Sequence, residues 1–177
     1  MGTTATTPIT VEKFMSLDLP QGHEWELHNG EVVDMGQPSL THRDLQEKLR
    51  ALLNQCFPNQ HVRIEYPFQA GDGEVRAADV GVTSLERRKQ SRLALKGAPE
   101  IVVEVLSPSN TISGLKEYRR LCFAHGTQFF VTVDPDDHTI EVQRKGEKNN
   151  IFGPGEQFQI EAFGMDVTLS VDEIFAD

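Results

Sequence analysis

Cysteine is scarce in this chain: two residues, Cys56 and Cys122, in 177. That excludes a disulfide framework, and each falls within a helical pattern, so both read as small apolar residues in a reducing compartment. Long apolar runs are absent as well. None approaches the ~20 residues that a membrane-spanning helix needs, and the polar start has neither the basic head nor the apolar core of a secretion signal. The expectation is a cytoplasmic chain with no membrane partner. Positive charge is the third shortage. Seventeen Lys and Arg stand against 27 Asp and Glu, a net charge of −10. Proteins that hold nucleic acid mainly by counterion release are usually basic, so a non-specific nucleic-acid binder is disfavoured. An enzyme whose acids are masked by a divalent cation is not. There is no His/Cys spacing for zinc, no glycine-rich phosphate cradle and no Ser-His-Asp arrangement.

What is present suits one domain. Ten Phe residues, with many Val, Leu and Ile, supply a core over residues 9–177, while the Thr-rich residues 1–8 are expected to be disordered. Residues 10–17 read as a short helix capped by Thr10, and 25–35 as a hairpin turning at Asn29-Gly30. A helix follows, with Thr41 and Asp44 spaced as a capping box. Leu45, Leu49, Leu52, Leu53 and Cys56 form its apolar stripe, and Pro58 stops it. Residues 61–68 alternate as a strand, with Val62, Ile64 and Tyr66 on one face and Arg63 and Glu65 on the other. Another strand is expected at 75–82 and a short basic helix or helical turn at 85–95. The run at 101–106 is apolar enough for a strand covered on both faces. Ser109 or Asn110 begins a helix reaching His125, and 129–133 form a further buried strand. Residues 139–143 and 158–160 read as late strands and 171–175 as a final turn. The order predicts a mixed α+β fold, with a mixed central sheet flanked by helices.

Glu104 is the anomaly in this pattern. Every neighbour in Ile101-Val102-Val103-Glu104-Val105-Leu106 asks for burial, and an isolated carboxylate there costs several kcal/mol unless paired, protonated or bound to a cation. Asp79, opening the apolar segment Val80-Gly81-Val82, supplies a partner. Two carboxylates on adjacent strands make a hard-oxygen site suited to Mg²⁺ or Mn²⁺. Such a metal polarises a phosphoryl oxygen and acidifies an attacking water. Glu26 and His42 are further candidates. Glu26 reads equally as a solvent-facing strand residue, and His42 as a core histidine bonded to backbone. Arg88, Arg92 and Lys96, spaced four apart, would share one helix face and could meet a phosphate backbone or simply form a solvated face.

These residues fall within a recognisable pattern. Trp25-Glu26-Leu27-His28-Asn29-Gly30-Glu31, then His42, then Asp79-Val80-Gly81-Val82, then Pro99 to Ser109 with its Glu-Val-Leu-Ser-Pro-Ser block, then Val133-Asp134-Pro135, together resemble the Uma-two-like group of bacterial nucleases. That group, long known as a domain of unknown function, is placed in the PD-(D/E)XK, or restriction-endonuclease-like, superfamily. The resemblance runs from about Ile9 onward. It implies a restriction-endonuclease-like fold, Asp79 and Glu104 as metal-binding acids, and DNA as the substrate. The superfamily's lysine commonly lies two residues after the glutamate, where this chain has Leu106. The subfamily carries it instead on the following helix, at the position of Tyr118. Lys116 is the nearest lysine, but two residues turn a helix by roughly 200°, which points it away from the Tyr118 face.

Three readings follow. The first is a Mg²⁺-dependent endonuclease acting on DNA, with Lys116 as base or charge stabiliser and a homodimer compatible with the chain. The second, from the missing lysine, is a catalytically silent binding module that keeps the fold. A hydrolase of some other phosphoester is the third.

Overall fold

The computed structural model describes residues 8–108 and 110–176. Of the residues expected to be disordered, 1–8, all but Pro8 lie outside the described residues, as does the proposed capping residue Ser109; Pro8 is described, packed beside Gly30. The first helix, α1 (Val11–Met15), is capped by Thr10, whose side chain accepts from the Lys13 amide. The hairpin β1 (Glu24–His28) and β2 (Glu31–Gly36) turns at Asn29 and Gly30, with φ of +50° and +80°. Positive φ at both central residues is what a type I′ turn requires, and Asn-Gly supplies it at least strain. Helix α2 (Leu40–Cys56) starts two residues earlier than the capping-box reading placed it. Ser39 is the cap, accepting from the His42 amide, so the Thr41/Asp44 box is not used.

Strands β3 (Gln60–Gln69) and β4 (Val75–Ser84) pair antiparallel along their whole length. After β4 comes α3 (Leu85–Lys89), a helical turn of the kind expected but ending well short of residue 95. The chain then forms β5 (Leu95–Lys96), which pairs parallel with β3. Arg88, Arg92 and Lys96 thus fall on a helix, a bend and a strand, and the shared helix face does not exist. Strand β6 (Ile101–Val105) is followed by α4 (Ile112–Ala124), capped by Thr111 rather than Asn110. The parallel neighbour β7 (Phe129–Asp134) then leads to β8 (Thr139–Arg144) and β9 (Asn150–Phe152). A separate hairpin, β10 (Gln157–Ala162) with β11 (Met165–Ser170), precedes α5 (Val171–Phe175). Strands β5, β9 and β11 have no expectation behind them; β5 and β9 are only two and three residues long.

The nine-stranded mixed sheet runs β2-β1-β4-β6-β7-β8-β9, with β3 and β5 attached through β4. Helix α2 covers one face: Leu49, Leu53 and Phe57 pack with Val80, Val82, Ile101, Val103 and Val131. Helix α4 covers the other, where Cys122 meets Tyr66, Phe68, Ala78, Val102 and Phe130. In β3, Ile64 belongs to the α2 side while Tyr66 belongs to the α4 side, although the simple alternation put Val62, Ile64 and Tyr66 together. Strand β4 changes sides in step, between Val80 and Ala78. The cause is Glu65. Its φ of +46° breaks the alternation, and the ladder skips from Ile64↔Val80 to Tyr66↔Ala78, directly opposite Asp79.

A buried polar clamp fixes where β6 begins. Glu100 accepts from the Thr83 hydroxyl and from Arg87 Nη1, both at 2.6 Å, while Arg87 Nη2 donates to the carbonyls of Lys96 and Ala98 at 2.9 Å each. Removing one member of a buried pair strands the other charge. Arg87→Met should therefore cost about 3 kcal/mol by the usual size of such losses, read as a lower urea midpoint with unchanged slope. A midpoint within error of the wild type would remove the clamp from the account of stability.

Candidate active site in the strand fork

Strand β4 shares one edge with two partners. Strand β1 meets it only at Leu27↔Val75, and β6 only from Val80↔Val103 onward. Between them, residues 76–79 face a fork with no strand opposite. Buried main-chain groups must still be satisfied, and side chains do this here. Glu26 Oε1 accepts from the Ala77 amide at 2.9 Å, and Glu104 Oε1 from the Asp79 amide at 3.2 Å. The Tyr118 hydroxyl donates to the Ala77 carbonyl at 3.0 Å. Asp79 answers across the fork: its Oδ2 accepts from the Val105 amide at 2.7 Å. Asp79 and Glu104 each hold the other's strand, so their carboxylates are brought together where β4 and β6 part.

The floor of the fork comes from α2. His42 Nε2 lies 3.2 Å from Asp79 Oδ1, and Gln46, one turn on, donates from Nε2 to the same oxygen at 3.0 Å. The same Nε2 lies 2.5 Å from Glu65 Oε1. Gln46 is fully buried, and its Oε1 is left without a partner among the described residues. Such a group costs roughly 1–3 kcal/mol. Glu65 also shares a hydrogen bond with Glu24, whose charge is partly answered by Arg43 at 3.6 Å. On the other side, Glu26 Oε2 lies 2.5 Å from His28 Nε2 and 3.5 Å from Arg76 Nη1.

Five acids therefore surround the fork, with few cations. Burial, reinforced by the Asp79 charge, holds the Glu104 carboxyl well above the usual carboxylate range. Burial and the Glu24 charge push Glu65 up to about 8. The hydrogen bond to Asp79 raises His42 above the ordinary histidine value. Burial and the Glu104 charge keep the Tyr118 hydroxyl protonated, and raise the Cys122 thiol likewise.

The structure thus brings Asp79, Glu104 and His42 together and seats Glu26 two residues along β4. Glu26 is buried rather than solvent-facing, and His42 bonds a carboxylate rather than backbone. Lys116 is exposed on α4 while Tyr118 turns inward, as the helix rotation predicts. Arg88 is engaged with the Ser91 carbonyl, and Arg92 and Lys96 are exposed. These three lie near the start of β6, whereas Glu104 is at its far end, roughly 10 Å along the strand. Sequence reasoning missed Gln46, Glu65 and Glu24. Gln46 had a signal, since it stands four residues after His42 and so shares its helix face. Glu65 had none, because its approach depends on a positive φ.

Among the described residues, no group of three His, Cys, Asp or Glu side chains is arranged as a metal cage. Mg²⁺ does not require one: it is commonly held by one or two carboxylates with waters. Asp79 and Glu104 provide hard oxygens of that kind, a cation would relieve their mutual repulsion, and Gln46, which bonds Asp79 through Nε2, carries an orphaned carbonyl on the same head group. The donor set fits a divalent oxygen-seeking metal.

A mixed sheet covered by helices on both faces, with paired acids at a strand fork, is the arrangement that the resemblance to restriction-endonuclease-like nucleases leads one to expect. The sequence pattern of the Uma2 family, described as "Putative restriction endonuclease", matches residues 11–172, and the chain belongs to that family. The fold is similar to a crystal structure from Anabaena variabilis ATCC 29413, titled a putative nuclease belonging to DUF820. The TM-score is 0.80 at 22% identity, covering 96% of this chain and 98% of that one. No curated protein matches. No helix among the described residues is long and apolar enough to cross a membrane.

The raised acids make stability depend on pH. Glu65 ionises near 4.5 when unfolded and about 8 when folded, so the folded state binds more protons between these values. Its contribution is complete below about pH 4.5 and is lost as pH rises through 8. The raised Glu104 and His42 act in the same direction. The wild-type urea midpoint should therefore fall between pH 5 and 8, and Glu65→Gln should flatten that fall. A wild-type midpoint that rises over this interval contradicts the assignment.

Proposed function

We propose that this protein is a divalent-metal-dependent endonuclease that hydrolyses phosphodiester bonds, with DNA as substrate and Mg²⁺ or Mn²⁺ as cofactor. The observation that carries the reading is the interlock of Asp79 and Glu104 across the fork, where residues 76–79 of β4 have no strand beside them on that edge. Membership of a family described as a putative restriction endonuclease supports it.

Asp79 and Glu104 would hold the metal. Bound there, it would supply Lewis-acid polarisation of a phosphoryl oxygen and a more acidic water. The chain's own residues set the stage for that chemistry. The Val105 amide and His42 fix the two oxygens of Asp79. His42, with its raised pKa, keeps a proton at Nε2 facing Asp79 over a wider pH range than a free histidine. Glu26 holds the Ala77 amide and so fixes the segment from which Asp79 projects. Tyr118 occupies the place where the resemblance leads one to expect an ammonium. Its neutral hydroxyl is spent on the Ala77 carbonyl. That single observation favours the second reading, a silent module that keeps the metal but does not cleave.

Two measurements separate the readings. Mn²⁺ at a hundredfold excess over its Kd should stabilise the wild type by about 2.7 kcal/mol, a rise in melting temperature of about 5–10 °C for a chain of this size. Glu104→Gln should show no such rise, and without added metal it should be as stable as the wild type or slightly more so near neutral pH, since a close pair of carboxylates has lost one charge. Nicking of supercoiled plasmid should require Mg²⁺ or Mn²⁺ and vanish in Asp79→Asn and Glu104→Gln. Metal-dependent stabilisation with no nicking across several metals and substrates assigns the silent module, and gain of nicking in Tyr118→Lys would then name the cause. Loss of several kcal/mol in Glu104→Gln, with no effect of divalent ions, would make Glu104 purely structural.

A further inference from the structure

We propose that Gln46 and Glu65 complete the oxygen shell of the cation held at Asp79 and Glu104, Gln46 through its side-chain carbonyl; this rests on the reading of the fork as a metal site. Gln46 is 0% exposed, on the buried stripe of α2. Its Nε2 bridges Asp79 Oδ1 and Glu65 Oε1 at 3.0 and 2.5 Å, while Oε1 on the same head group has no partner among the described residues. Buried amides as a rule use both ends. The head group that meets two acids through Nε2 thus also carries an unused carbonyl, a neutral hard-oxygen ligand of the kind that Mg²⁺, Mn²⁺ and Ca²⁺ accept. The amide is planar, so a half-turn about its last bond exchanges Nε2 for Oε1 at nearly the same point. A cation between the acids reverses what is favourable there, repelling the NH₂ and attracting the carbonyl.

Glu65 reaches this place by an unusual route. A non-glycine residue with φ of +46° in the middle of a strand is sparsely populated and persists only where its surroundings hold it. The distortion sits opposite Asp79 and leaves the Glu65 carboxyl against Gln46 and Glu24 instead of an opposite charge. Two carboxylates fill only part of an octahedral shell. Glu65 and the Gln46 carbonyl are the oxygens next in line, one from β3 and one from α2, so that a cation would tie a helix to three strands.

The test is a Mn²⁺ titration followed by electron paramagnetic resonance on wild type, Asp79→Asn, Glu65→Gln, Gln46→Leu and Gln46→Glu, with circular dichroism and metal-free melting as folding controls. Glu65→Gln and Gln46→Leu should weaken Mn²⁺ binding on the order of 10- to 100-fold, the size usual for groups that complete or orient a metal shell. Gln46→Glu should bind at least as tightly as wild type, because it replaces a carbonyl oxygen with a carboxylate. Failure of the wild type to bind Mn²⁺, or binding by Asp79→Asn as tight as wild type, would overturn the metal reading of the fork itself. Loss of affinity in Asp79→Asn with wild-type affinity in both Glu65→Gln and Gln46→Leu would overturn this inference alone. Should Gln46→Leu not fold, Gln46→Glu decides for Gln46: a folded protein with weakened Mn²⁺ binding assigns it a structural role.

Discussion

Everything at this site depends on an edge of β4 that two strands share without meeting. Strand β1 leaves after Val75 and β6 arrives at Val80, so the main chain at Ala77 and Asp79 loses its ladder partners inside the protein. Unpaired buried amides are costly, and the chain answers with Glu26, Glu104 and Tyr118. The same bonds that stabilise the fork concentrate carboxylates in it. Structure and candidate chemistry are therefore one arrangement: Glu104 satisfies a backbone amide with one oxygen and keeps its second, while Asp79 is held at both oxygens and so is fixed in place.

That economy has an electrostatic consequence. The neighbouring charges and burial raise Glu104 and Glu65, while the nearby cations, Arg76 and Arg43, are turned to Glu26, Glu74 and Glu24. The fork thus keeps a surplus of acid that protons or a cation can neutralise. Helices from opposite faces feed into it. His42 and Gln46 come from α2, and Tyr118 and Cys122 from α4 lie close enough to feel the Glu104 charge. Both can reach because β3 and β4 change sides at Glu65 and Asp79, opening the sheet to either layer at one point.

Much of this was legible in the sequence, and the limits were physical. The Asn-Gly hairpin, the α2 stripe, the apolar run of β6 and the misfit of Glu104 within it are local patterns, set by φ preferences and by side-chain period. They gave a mixed sheet between helices and the pair Asp79 and Glu104. That Lys116 and Tyr118 face opposite ways followed from helix geometry alone; that Tyr118 is the inward one did not. The basic segment was misread because its four-residue spacing matched a helix that Ser91 and β5 cut short.

What the sequence by itself determined were the elements and the oddity of an acid among valines, because both arise from neighbours within a few residues. Only the tertiary structure decided the rest. The fork exists because β1 and β6 reach β4 from distant parts of the chain and stop short of each other, and Gln46, Glu65 and Glu24 converge on Asp79 across separations of 33, 14 and 55 positions. A glutamate in a strand carries no local mark that its φ will turn positive. That choice is made by the buried groups it must meet, and those are assembled only when the sheet closes.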